Sequence, residues 1–185
     1  MDDTQIVELY WARKESAIEE TATKYGSYCR SIAQNILNNQ DDAEECVNDT
    51  WLDAWNSMPP HRPSVLSTFL GKLTRRISID KWRRTTAKKR GDGQLPLVLA
   101  ELEDCISDGK SIEEETERKL LTETIASFVK SLPETEQKIF LCRYWYMDSV
   151  SAIATRFRFS ESKVKSMLYR TRKKLRVRLE KEGLV

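Results

Sequence analysis

Glycine and proline are sparse in this chain, 6 and 5 in 185 residues, and histidine occurs once, at His61. The few breakers fall in clusters, among them Pro59-Pro60 with Pro63, and Gly91 and Gly93 with Pro96, leaving long stretches free to be helical. No stretch alternates apolar and polar residues as a half-buried strand does, so the expected fold class is all-α. The 4 cysteines, Cys29, Cys46, Cys105 and Cys142, lie far apart with no CxxC pair, and one imidazole does not complete a zinc set. Reduced structural thiols and no bound metal are expected. No apolar run approaches the length of a membrane span, and the start MDDTQIVELY is acidic where a secretory signal is basic. The expectation is a cytoplasmic protein with no membrane span. A P-loop, a Gly-rich phosphate cradle and a nucleophile with its base are also lacking, which argues against an enzyme and against a cofactor.

Charge is plentiful instead: 32% of residues are Asp, Glu, Lys or Arg, yet the net charge is only +2, because acids and bases are segregated along the chain. The densest basic segment lies within LPETEQKIFLCRYWYMDSVSAIATRFRFSESKVKSMLYRTRKKLRVRL, Leu132 to Leu179. Ser149 and Ser160 are N-cap residue types, the run from Val150 to Arg156 makes one short helix between them, and Phe157-Arg158-Phe159 is the turn. Two capped helices so joined form a helix-turn-helix, with the small Ala154 where they approach. From Ser160 onward Val164, Leu168, Thr171 and Leu175 share a stripe, while Ser162, Lys165, Ser166, Tyr169, Arg170 and Lys173 point away from it. A basic helix face on its own is usually a solvated face. Here the run Lys163, Lys165, Arg170, Arg172, Lys173, Lys174, Arg176 and Arg178 is opposed within the segment only by Glu161, a density suited to nucleic-acid phosphates.

Earlier in the chain, Asp3 to Ala12 and Glu15 to Leu37 read as structural helices, with Ile6, Val7, Tyr10, Ile18, Tyr25, Ile32 and Ile36 inward. Asp41-Asp42-Ala43-Glu44 then opens a third helix running to about Met58, with Asp41 as the expected cap and Glu44 completing a capping box. Ala43, Val47, Thr50 and Ala54 form its inner stripe; Glu45, Asn48, Asp49, Leu52 and Asn56 face outward, with Trp51 and Trp55 flanking. One exposed leucine among acids is ordinary by itself, but beside tryptophans it also fits a docking anchor ringed by charge. A proline loop, Met58 to Ser64, leads into a fourth helix from about Val65 to Arg84. Its outer face carries Lys72, Arg75, Arg76, Lys81, Arg83 and Arg84, extended by Lys88, Lys89 and Arg90 and opposed on its own helix only by Asp80. Residues 91–111, with glycines, a proline and an acidic run, read as a flexible linker. The expected organisation is therefore two small helical domains, 1–90 and 112–185, the second holding the helix-turn-helix after helices at Ile112–Lys130 and Pro133–Tyr144, with Pro133 in the first helical position.

Over nearly its whole length the chain resembles the extracytoplasmic-function (ECF) sigma factors of bacterial RNA polymerase. The blocks YGSYCRSIAQNIL, DDAEECVNDTWLDAW and FLGKLTRRISIDKWRR stand in the order of that family's domain 2, and LPETEQKIFLCRYW with SVSAIATRFRFSESKVKSMLYRTRKKL is similar to its domain 4. The resemblance implies a factor that binds core polymerase, directs it to specific promoters and assists opening of the duplex. It assigns Glu45, Asn48, Asp49, Leu52 and Asp53 to the coiled coil of the polymerase largest subunit. The minus-10 promoter element falls to His61, Arg62, Ser64, Arg75, Arg76 and Arg83, and the minus-35 element to Ser162, Lys163, Lys165, Ser166, Tyr169, Arg170 and Lys173. It also implies an anti-sigma protein as a further partner. Arg76 stands where the family usually has a small Asn, and Arg158 and Met147 stand where it usually has Gly. The rival expectation is a helix-turn-helix regulator that binds an operator without polymerase; the acidic face around Leu52 and the second basic surface argue against it.

Overall fold

The computed structural model describes residues 1–86, 94–106 and 115–184. Among them every regular element is a helix, and no strand occurs: α1 Asp3–Trp11, α2 Ser16–Leu37, α3 Gln40–Ser57, α4 Leu66–Thr86, α5 Gln94–Ile106, α6 Glu115–Ser131, α7 Glu134–Tyr144, α8 Val150–Phe157 and α9 Glu161–Lys181. The chain divides into two compact units, Met1–Gly93 and Gln94–Val185. No helix among the described residues is long and apolar enough to cross a membrane.

In the first unit α2 packs against α3 and α4, and α1 crosses α2. A capping box starts α1, with Asp2 accepting from the Gln5 amide at 2.8 Å and Gln5 accepting from the Asp2 amide at 3.0 Å. Ile6, Val7, Tyr10, Ala33, Ala43, Val47, Ala54, Leu66 and Leu70 form the core. The small residues among them let the helices approach closely. At Gly71 on α4 a Cβ would run into the Tyr28 hydroxyl, so a larger residue there requires the Tyr28 side chain to move. Two buried threonines are satisfied within their own helices: Thr50 donates to the Cys46 carbonyl at 2.7 Å, and Thr74 to the Leu70 carbonyl at 2.9 Å.

Two expectations about α3 are corrected. Its cap is Asn39, whose side chain accepts from the Asp42 amide at 2.9 Å, and not Asp41. The cause is Asn38, which ends α2 in the left-handed region at φ 51 and turns the chain so that Asn39 is the extended residue at the mouth of the next helix. Trp51 is buried in the core rather than flanking Leu52 on the surface.

The second unit corrects a larger expectation. The stretch read as a flexible linker contains α5, which packs on α9 and buries Leu95 and Val98 completely. Leu95 and Val98 are three residues apart, a helical spacing, and Pro96 lies in the first turn, where a missing amide hydrogen costs nothing. Residues 87–93 and 107–114, which include Lys88, Lys89 and Arg90 and the acids Asp108, Glu113 and Glu114, lie outside the described residues. Pro133 occupies the cap position of α7, one residue before its expected place. Phe128 of α6 meets Phe140 of α7 edge-on at 6.4 Å, and Phe140 meets Tyr144 at 4.5 Å.

Candidate nucleic-acid and polymerase interfaces

Both expected caps of the helix-turn-helix form. Ser149 Oγ accepts from the Ala152 amide at 3.1 Å, and Ser160 Oγ from the Lys163 amide at 3.2 Å. Between them Arg158 takes the left-handed conformation at φ 53, and the Phe159 amide closes back on the Ala154 carbonyl at 3.0 Å. Met147, ahead of α8, has φ 59. Both positions where glycine was the expected residue thus carry positive φ on an L side chain, a local strain that surrounding packing has to hold.

On α9 the inner stripe is as the periodicity predicts: Val164, Leu168, Thr171 and Leu175 are buried, joined by Met167 and Leu179. Ser162, Lys163, Lys165, Ser166, Tyr169, Arg170 and Lys173 are all exposed, with Tyr169 at 52%. The Lys163 ammonium sits over the Phe159 ring at 3.5 Å, and that of Lys173 over Tyr169 at 5.0 Å. These contacts place the charges without neutralising them. The rest of the cationic run has acidic neighbours, two of them distant in sequence and two a helical turn further along the chain. Arg172 reaches Glu101 at 3.3 Å, Lys174 reaches Glu136 at 3.1 Å, and Arg176 and Arg178 pair with Glu180 and Glu182. The run is therefore not opposed by Glu161 alone, and the open donors concentrate toward the N-terminal half of α9.

Beneath this face lies an ionic cluster that the sequence reading did not foresee. Glu101 of α5 accepts from Arg143 Nη2 at 2.7 Å and Nε at 3.2 Å, from the Tyr144 hydroxyl at 2.9 Å and from Arg172 at 3.3 Å. Arg143 is 2% exposed. It also donates to the Asp148 carbonyl at 2.9 Å, and the Asp148 carboxylate takes Arg156 of α8 at 2.8 Å. Burial raises the Tyr144 hydroxyl above its ordinary pKa, so it stays a neutral donor.

In the first unit the outer face of α3 presents Glu45, Asn48, Asp49 and Leu52, all exposed, with Leu52 at 58% and Asp53 half-buried. The bases of α4 are not opposed by Asp80 alone. Arg76 pairs with Asp53 at 2.6 Å, and Lys81 with Glu45 at 2.6 Å and Asp42 at 2.9 Å. Two residues expected to meet DNA and polymerase separately, Arg76 and Asp53, thus touch each other across α3 and α4. Arg83 is exposed and Arg75 half-buried, and burial pulls the Arg75 guanidinium below its ordinary pKa.

The proline loop is held by α1, whose role the sequence reading left as merely structural. Trp11 Nε1 donates to the His61 carbonyl at 3.3 Å, and Arg62 lies over the Trp11 ring at 4.7 Å while pairing with Glu8 at 2.9 Å. Arg13 donates to the Trp55 carbonyl at 2.8 Å. His61 and Ser64 are exposed at this clamp. The available signal was the end of α1, with an aromatic, Trp11, as its last residue and a base, Arg13, just beyond it. For Glu101 it was the apolar spacing of α5.

The chain thus carries an acidic, leucine-centred face and a basic loop-and-helix surface in one unit, and a helix-turn-helix with an open donor face in the other. A family profile described as Sigma-70 region 2 matches residues 22–88, and one described as ECF sigma factor matches residues 61–181. No curated protein matches the chain. The second profile spans more than half of the sequence and takes in the helix-turn-helix; the chain belongs to the ECF sigma factor family, which binds core RNA polymerase and directs it to promoters.

Proposed function

We propose that this sigma factor divides its work between its two units. Glu45, Asn48, Asp49, Leu52 and Asp53 dock on the coiled coil of the polymerase largest subunit, with Leu52 as an apolar anchor inside a ring of acids. His61, Arg62, Ser64, Arg75, Arg76 and Arg83 engage the minus-10 element and hold its opened strand. Ser162, Lys163, Lys165, Ser166, Tyr169, Arg170 and Lys173 enter the major groove at the minus-35 element. An anti-sigma protein covers one or more of these faces when the factor is held inactive, and the factor acts in the cytoplasm with the polymerase.

The observation that carries this reading is the 58% exposure of Leu52 amid carboxylates, on a unit separate from an open helix-turn-helix donor face. An operator-binding regulator has no use for the first of these. Transcription with purified core polymerase becomes promoter-specific when the protein is added. Leu52→Asp lowers association with core. Lys165→Ala combined with Arg170→Ala lowers promoter selectivity and leaves core association intact. Tight promoter binding by the free protein without any association with core would overturn the proposal.

A further inference from the structure

We infer that Glu101, in the segment ahead of the helix-turn-helix, is a positioning residue for promoter reading by α9. The inference rests on the minus-35 role proposed for that helix and adds a residue that acts through others. Its carboxylate is where α5, α7 and α9 meet: Arg143 and Tyr144 come from α7 and Arg172 from α9. Through Arg143 and Asp148 the same network continues to Arg156 of α8. Both helices of the helix-turn-helix are therefore tied to one acid outside it.

The network is placed where it can set the pitch of the reading helix. Glu161, Lys165 and Arg172 are spaced by four and seven along α9, so they share a stripe that borders the donor face of Ser166, Tyr169 and Arg170. An open cleft of about 600 Å³ lies along this border, with Leu97, Ala100 and Glu101 of α5 on one wall and Ser151 and Lys165 on the other. Arg172 and Arg143 are 15% and 2% exposed at their side chains, against 24% for Glu101, so water reaches the acid but has little access to the arginines that donate to it. Base-edge hydrogen bonds tolerate only a few tenths of an ångström of displacement, which makes a fixed helix pitch a condition of sequence discrimination.

An electrostatic role for Glu101 has the opposite sign. An acid beside a basic face repels phosphates, and neutralising it strengthens DNA binding without regard to sequence. A positioning role weakens discrimination when the acid is neutralised.

The test uses the full-length protein with purified core polymerase and a promoter selected from a randomised upstream library by the wild-type holoenzyme. A matched template carries a scrambled minus-35 segment, and the readout is the ratio of transcript from the two. Glu101→Gln lowers this ratio by roughly three- to ten-fold, within the discrimination that a misplaced base contact forfeits, while output from the scrambled template and association with core stay unchanged. Glu101→Asp, which keeps the charge, recovers part of the ratio. Arg172→Gln shifts the ratio the same way by a smaller factor and leaves the salt dependence of DNA binding unchanged, because Arg172, 15% exposed at its side chain, is bonded to Glu101 and Tyr144 and is not one of the open donors. An unchanged or raised ratio for Glu101→Gln, or a flattened salt dependence for Arg172→Gln, overturns the inference. If Glu101→Gln loses helicity at the assay temperature, Arg172→Gln decides, since it leaves the Glu101–Arg143 pair in place. Lys165→Ala with Arg170→Ala is the control for the parent reading. A ratio that survives in that variant removes the minus-35 assignment itself; a ratio lost there but kept in Glu101→Gln removes only the role of Glu101.

Discussion

Both units carry ion pairs at the surface, but only the second, among the described residues, encloses an arginine almost completely. In the first, Lys24–Asp3, Arg62–Glu8 and Arg76–Asp53 are ion pairs near water, and the fully buried polar residues are the neutral hydroxyl side chains Thr21, Thr50, Thr74 and Ser78. In the second, Arg143 of α7 is 2% exposed and bonded to Glu101 of α5 and to the Asp148 carbonyl just ahead of the helix-turn-helix. Size accounts for part of the contrast. The 22-, 18- and 21-residue helices of the first unit have long apolar stripes to pack, whereas α8 has 8 residues and buries little beyond Ile153 and Ala154. A helix that short needs tertiary contacts to exist at all. A buried ionic cluster of fixed geometry specifies its pose where apolar packing alone allows several.

The contrast is broken most sharply by removing each unit's own kind of support. Leu70 is fully buried among the helices of the first unit, and Leu70→Ala is expected to cost about 3 kcal/mol from lost burial and the cavity left behind. Hydrogen exchange followed by peptide mass spectrometry then shows faster exchange across α1–α4 and unchanged protection in α7–α9. Arg143→Met gives the reciprocal pattern with a smaller effect. It keeps most of the volume but removes the Arg143 bonds to Glu101 and to the Asp148 carbonyl, a loss of about 2 kcal/mol, moderated because Glu101 keeps Tyr144 and Arg172 as donors and is partly in water. Exchange that rises equally in both units for either variant would mean that they do not fold separately.

What could be read beforehand divides along the same line. Signals inside one helix were legible: the serine caps of α8 and α9, the buried stripe Val164–Leu168–Thr171–Leu175 and the outward Leu52 all follow from side-chain type and a 3.6-residue period. Pairings between helices were not. A wheel places Arg76 and Lys81 on an outer surface but cannot show that the acids of α3 come alongside, nor that Glu101 reaches a buried arginine 42 residues later in the chain. The linker reading failed for a related reason. Glycines and acids suggested a tether, yet Leu95 and Val98 at helical spacing outweighed them once α9 offered a surface to bury them.

Two non-glycine residues of the second unit in the left-handed region, Met147 and Arg158, sharpen the comparison at smaller magnitude, because they share a backbone strain and differ in burial. Met147, at φ 59, is 2% exposed, and Met147→Gly relieves the strain but forfeits a buried side chain, for a net loss of about 1–2 kcal/mol. Arg158, at φ 53, is exposed, and Arg158→Gly relieves the strain with nothing buried to lose, for a net gain of about 0.5–1 kcal/mol after the greater chain entropy of glycine. Urea midpoints of the two variants should therefore move in opposite directions. Movement in the same direction would show that something other than φ and burial governs these turns.

The smallest effect belongs to the surface ions of the first unit. The Asp3 carboxyl is held below its ordinary pKa by hydrogen bonds from the Lys24 ammonium at 2.7 Å and the Tyr25 hydroxyl at 2.5 Å, with partial burial opposing them. A carboxyl whose folded pKa is depressed contributes stability above its unfolded pKa of about 3.8 and loses that contribution as pH falls through the folded value. The Lys24–Asp3 pair is about a third exposed on both sides, so solvent screening limits the contribution to a few tenths of a kcal/mol. Asp3→Asn should accordingly lower the urea midpoint slightly at neutral pH, with the difference from the parent closing toward pH 2. A difference that persists undiminished in acid would assign the effect to the packing of α1 on α2 rather than to charge, and surface ions would then no longer explain how the first unit differs from the second.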